Sequence, residues 1–97
     1  MLTKGEIFFS RFSQWSAEFG GQSGSVKLSA AGIPGGHGAH EWEWSADGTN
    51  WTRIQSTVDA TTIVSGFTPG QVVDFRHCTI TRDGQSEWDQ IDDYVVQ

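Results

Sequence analysis

A chain of 97 residues is the size of one domain with a single core. Its formal charge of −6 argues against nucleic acid, which needs a basic surface to displace counterions, and against an anionic membrane surface. Leu and Lys are scarce while Gly, Ser, Thr, Val, Ile, Phe and Trp are plentiful, a profile that favours strands and tight turns over helices.

Five Trp and six Phe carry much of the burial available to so short a chain, since each aromatic hides about 150–250 Å². The single cysteine, Cys78, has no internal disulfide partner. No apolar run approaches the ~18 residues of a membrane span. Ile7-Phe8-Phe9 is too short for the apolar core of a signal peptide. The chain is therefore expected to be made in the cytoplasm without a signal peptide and to insert in no membrane.

Residues 1–22 differ in character from the rest. Phe8, Phe12, Trp15 and Phe19 follow the i, i+4, i+7, i+11 spacing of a helical stripe, whereas Ile7 and Phe9 alternate as in a strand. An aromatic N-terminal arm or first strand is favoured here over a short helix. Gly20-Gly21-Gln22-Ser23-Gly24 reads as a flexible joint, and residues 23–97 as the domain proper.

From Ser25 onward a two-residue period takes over. Val26, Leu28 and Ala30 alternate with Ser25, Lys27 and Ser29, as in a strand with one buried face. A glycine-rich loop over 32–38 leads to a strand in which His40, Trp42 and Trp44 alternate with Glu41 and Glu43. Ser45 to Asn50 is a turn, with Asp47-Gly48 supplying positive φ cheaply. Strands are expected at 51–55 and 58–65, then a corner at 66–70. Val73, Phe75, His77 and Thr79 mark a long strand, 82–85 a turn, and 88–96 the last strand. Strands at this spacing, with turn signals between them, indicate an antiparallel β-sandwich.

Certain segments are more specific. Trp42 to Thr52, with Trp44, Asp47-Gly48 and Trp51, resembles the third strand and following turn of fibronectin type III domains of bacterial and phage type. Val64-Ser65-Gly66-Phe67-Thr68-Pro69-Gly70 resembles their corner before the sixth strand. Phe75-Arg76 and Thr81 to Trp88 are similar to the sixth strand, its turn and the Trp of the seventh. The segments come in family order and cover about three quarters of the chain. The resemblance implies an all-β, immunoglobulin-like antiparallel β-sandwich. It also marks departures: Ala30 or Ala31 stands where strand two has a core Trp, a volume left for Trp42 or an N-terminal aromatic. Val73 replaces the customary Tyr, His77 an aliphatic residue, and residues 1–22 lie outside the resemblance.

Several groupings invite chemistry, and each has a plainer reading. Glu41 and Glu43 share one outward strand face, whereas glycosidase carboxylates face each other across a cleft; they read as solvated. Asp89, Asp92 and Asp93 are the densest acidic cluster, but calcium needs about six to eight oxygens from a folded-back loop, so they read as a solvated edge. Asp47-Gly48-Thr49-Asn50 is explained by the turn. His77 and Cys78 are neighbours on opposite strand faces, which excludes a shared zinc and a Cys–His nucleophile pair. The loop at 35–38 lacks the Lys-Ser/Thr and helix of a phosphate site. No catalytic residue, metal or cofactor is expected.

The interaction candidates are aromatic. Trp51 and Trp88 could stack on sugar rings, although the resemblance implies packing across the sandwich or at its edge. Phe8, Phe12, Trp15 and Phe19 either cover an open edge or dock onto another subunit. By fold-level analogy, the resemblance implies a non-enzymatic structural or interaction protein whose partners are virion subunits, as in a phage capsid or tail decoration or adhesion protein. The alternative is a carbohydrate- or cell-surface-binding accessory module, with surface glycans as partners.

Overall fold

The computed structural model describes residues 6–97; residues 1–5 of the N-terminal segment lie outside the described residues. Among the described residues nine strands occur in chain order: β1 (Ile7–Phe9), β2 (Trp15–Phe19), β3 (Val26–Ala30), β4 (Ala39–Ser45), β5 (Thr52–Thr57), β6 (Thr61–Val64), β7 (Val72–Thr81), β8 (Gly84–Gln85) and β9 (Asp89–Val95), with one 3-10 turn at Pro34–Gly36. They form two antiparallel sheets packed face to face. One has the order β1-β2-β3-β6; the other has β5-β4-β7, with both β8 and β9 pairing with β7. The molecule is a β-sandwich.

The period-two pattern sets the core. Val26 and Leu28 of β3, Trp42 of β4, Val73 and Phe75 of β7, and Ile91 and Tyr94 of β9 are all buried. Their rings form two connected groups. In one, Trp44, Phe67, Phe75, Tyr94 and Phe8 follow one another edge-to-face at centroid separations of 5.1, 5.9, 5.9 and 5.5 Å. In the other, Trp15 and Trp42 meet edge-to-face at 5.8 Å, with His77 tilted 4.5 Å from Trp42. Each such pair adds about 0.5–1.5 kcal/mol beyond area burial.

The N-terminal segment takes the strand alternative, twice over. A hairpin turn at 10–14 folds β1 against β2, pairing Phe8 with Ala17, and β2 continues into β3 with Trp15 opposite Ala30. The helical stripe is not realised. Its spacing arises because Phe8, Trp15 and Phe19 lie on the inward sides of two antiparallel strands, while Phe12 sits in the turn between them. The large indole of Trp15 fills the space that the small side chain of Ala30 leaves across the strand pair.

Gly20–Gly24 is no flexible joint. The Gly24 N–H donates to the Gln97 carbonyl at 2.8 Å, its carbonyl accepts from Phe67 N–H at 3.2 Å, and Gly20 N–H donates to the Ser25 carbonyl at 3.0 Å. Two strand limits also shift. The fifth strand runs from Thr52 to Thr57 and the sixth begins only at Thr61, because Val58–Ala60 forms the bend between them.

Gly24 adopts φ +82°, and a Cβ there would lie 2.3 Å from the Phe67 carbonyl oxygen; Gly21, at φ +104°, has open space around it. Gly21→Ala should therefore cost only the left-handed backbone penalty of about 1–2 kcal/mol, whereas Gly24→Ala should cost clearly more. Urea denaturation of the two variants checks this, and equal losses would contradict the close approach.

Candidate functional site

The hairpin turn between β1 and β2 is held to the opposite sheet by one aspartate. Asp89, at the start of β9, pairs with His77 and faces inward. Its carboxylate accepts from the Ser10 hydroxyl at 2.6 Å and from Phe12 N–H at 3.4 Å, while its carbonyl accepts from Trp15 Nε1–H at 3.0 Å. Arg11 N–H donates to the Gln90 carbonyl at 3.1 Å, and the Arg11 guanidinium pairs with Asp92 at 2.7 Å. Thus only Asp92 and Asp93 of the C-terminal acidic cluster are exposed; Asp89 is a buried fastening between the sheets.

This anchoring sorts the N-terminal aromatics. Trp15, expected among the interaction residues, is 3% exposed and belongs to the core. Phe8 is half-buried against Tyr94, and Phe19 is likewise half-buried. Ile7, Phe9 and Phe12 remain at the surface, with 46, 66 and 65% of their area exposed. Ile7 and Phe9 point outward from the edge strand of the four-stranded sheet, and Phe12 caps the adjoining turn.

Trp51 and Trp88 come together on the outer face of the other sheet, though not with each other. The guanidinium carbon of Arg76 lies 4.3 Å from each indole centroid, so the cation is sandwiched between two tryptophan faces. Glu43 accepts from Arg76 Nε at 2.8 Å and Nη2 at 2.5 Å, and Glu41 pairs with Arg53. Neither glutamate is simply solvated. The two carboxylates are spent on ion pairs along one strand face rather than aimed across a cleft. Arg76 was not singled out from sequence, although its outward position in β7 beside Glu43 could have shown it.

The other titratable groups are also tied down. Asp47 accepts from Thr49 N–H, Asn50 N–H and the Asn50 amide at 2.8 Å each; these bonds hold its carboxyl well below the usual carboxylate range. Cys78 is buried on the face opposite His77, and burial pushes its thiol up to about 11, with Glu41 and Glu43 adding to the effect. It stays a neutral thiol near neutral pH. Among the described residues no group of three or more His, Cys, Asp and Glu is placed to hold a metal ion, and no helix is long and apolar enough to cross a membrane.

His40 and His77 form a buried pair that the sequence did not announce. Nδ1 of His40 lies 2.8 Å from Nε2 of His77, and the rings stack at 5.1 Å. At this separation one ring nitrogen donates and the other accepts. Burial disfavours the charged form of both. His77 is driven from 6.5 down to about 4, chiefly by burial and secondarily by His40, against the opposing pull of Asp89.

Because the unfolded chain takes up protons that the folded chain refuses, stability should be constant above about pH 6.5 and fall as the pH drops from about 6.5 towards about 4. Urea denaturation between pH 7.5 and 4.5 should show a slope of up to about 1.4 kcal/mol per pH unit from His77, with His40 acting in the same direction, and a flat profile would contradict the neutral pair. Arg76→Ala should cost about 1–3 kcal/mol through loss of both cation–π contacts and the Glu43 pair. It should also red-shift tryptophan fluorescence as Trp51 and Trp88 gain water. Unchanged fluorescence would contradict the sandwich. No protein-family model and no curated protein sequence matches this chain.

Proposed function

We propose that this chain is a non-enzymatic structural and interaction protein, an immunoglobulin-like decoration or adhesion protein of a phage capsid or tail. The observation that carries the reading is the apolar edge of the four-stranded sheet. Ile7 and Phe9 stand outward on β1, which among the described residues pairs on one side only, with β2. Folded monomers ordinarily blunt such edges with charges, bulges or prolines, and exposed apolar patches mark contact with other macromolecules.

Three further features support it. The segments from Trp42 to Trp88 resemble fibronectin type III domains of bacterial and phage type. Seven strands, β2 to β7 with β9, divide three and four between the sheets, as an immunoglobulin-like sandwich requires. The cross-sheet bonds at Asp89 hold the hairpin that carries Ile7 and Phe9, so the contact surface is rigid before a partner arrives, which lowers the entropic cost of docking.

In its native host context the protein should sediment with particles of virion size. A chain carrying Ile7→Ser and Phe9→Ser should remain folded, since both side chains lie outside the core, and should stay with the free protein. Wild-type protein found only at the position of a free 10.7 kDa chain would overturn the reading.

A further inference from the structure

The outer faces of the two sheets are built differently. On the five-stranded sheet the charges are matched within the chain: Arg76 is stacked between Trp51 and Trp88 and paired with Glu43, and Glu41 pairs with Arg53. The four-stranded sheet carries no such layer. Ala17 of β2 and Val26 and Leu28 of β3 point into the core, so alternation turns their neighbours outward. The registers line those neighbours up in two rows across the sheet. One row runs Ile7, Glu18, Lys27, Ile63; the other runs Phe9, Ser16, Ser29, Thr61.

The make-up of the rows narrows what can cover them. Ile7, Phe9 and Ile63 are 46, 66 and 57% exposed, so apolar side chains stand at both margins of the face. Ser16 and Ser29 are small and leave its middle low. Glu18 and Lys27 lie opposite each other in register, yet among the described residues neither enters an ion pair. A partner of one charge sign would answer only one of these two groups. A strand added beside β1 would cover Ile7 and Phe9 but leave Lys27 and Ile63 uncovered.

The pattern is its own complement. A second copy laid face to face on the first can be related to it by a two-fold axis along the strands, midway between β2 and β3. That rotation exchanges β1 with β6 and β2 with β3. Each Glu18 then lies over Lys27 of the other copy and each Ile7 over its Ile63, while Ser16 meets Ser29 and Phe9 meets Thr61. Both charges are answered and the apolar margins cover each other. The contact is isologous, as in the commonest closed oligomers, and aligned sheets stacked about 10 Å apart accommodate side chains of this size.

We propose that the outer face of the four-stranded sheet binds a second copy of this chain, with Glu18 and Lys27 as reciprocal charge pairs and Ile7, Phe9 and Ile63 as the apolar contacts. The proposal rests on the assembly reading above, since it names the partner of the surface that carries Ile7 and Phe9. Four strands about 4.8 Å apart make a face about 19 Å wide. Two such faces bury about 1,000 Å² in total, the low end for a specific interface. The dimer is therefore reversible, with a dissociation constant of about 10–500 μM.

Sedimentation equilibrium of the full chain from about 10 μM to about 1 mM should carry the mass from 10.7 kDa towards that of two chains. Lys27→Glu sets glutamates over glutamates, and Glu18→Lys sets lysines over lysines. Each variant alone should therefore dimerise more weakly by at least about tenfold. An equal mixture of the two should restore association, because every lysine then faces a glutamate. Both substitutions lie on the outer face, so the nitrogen-15 spectrum of each variant should stay dispersed. A wild-type chain still monomeric at about 1 mM, undiminished dimerisation in the single variants, or a mixture that stays monomeric would each overturn the proposal. A wild-type monomer that nonetheless sediments with particles would overturn only the second-copy contact. A dimer never found with particles would uphold that contact and overturn the assembly reading.

Discussion

The insertion of Trp15 between the sheets is the contact on which the rest of the structure rests. Its indole packs edge-to-face on Trp42 and donates from Nε1 to the Asp89 carbonyl, so one side chain joins a strand of each sheet through both apolar and polar contact. A buried indole without a partner for its N–H would forfeit part of the gain from burial; here the acceptor comes from the strand that the carboxylate of the same residue ties to Ser10. The hairpin is thereby a wall of the sandwich, with Ile7, Phe9 and Phe12 left on its exposed side.

Two surfaces follow from that arrangement. Because β1 is fixed on β2, its outward residues Ile7 and Phe9 cannot retreat into the core that Phe8 already shares with Tyr94. Because β2 and β3 end at Trp15 and Ala30 while β7 continues to Thr81, the interior opens at one end onto polar side chains. The buried histidines lie beside this opening, which His77 helps to line. Their neutrality keeps a charge out of a largely aromatic neighbourhood, at the expense of acid stability.

The sandwich from Val26 onward could be read from sequence because alternation, turn residues and aromatic spacing agree there. The N-terminal hairpin could not, for a local reason. Its turn contains no Gly, Pro or Asn; Ser13 adopts φ 57°, a conformation that its residue type does not signal. Without a visible turn, two inward faces looked like one helical stripe. Glycine content likewise suggested a joint at 20–24, although only the close approach of Phe67 explains Gly24. Asp89 was grouped with Asp92 and Asp93 by proximity in sequence, whereas counting by twos from buried Ile91 places it inward. The His40–His77 pair depends on strand register across a separation of 37 residues, which no local pattern contains.

A chain beginning at Ser23 tests the central role of the hairpin most directly. The account predicts that this truncated chain, having lost Trp15 and the partners of Asp89, gives the collapsed amide dispersion of an unfolded protein in a nitrogen-15 correlation spectrum. A well-dispersed spectrum with cooperative unfolding close to that of the full chain would show that the sandwich closes without Trp15, and would contradict the account.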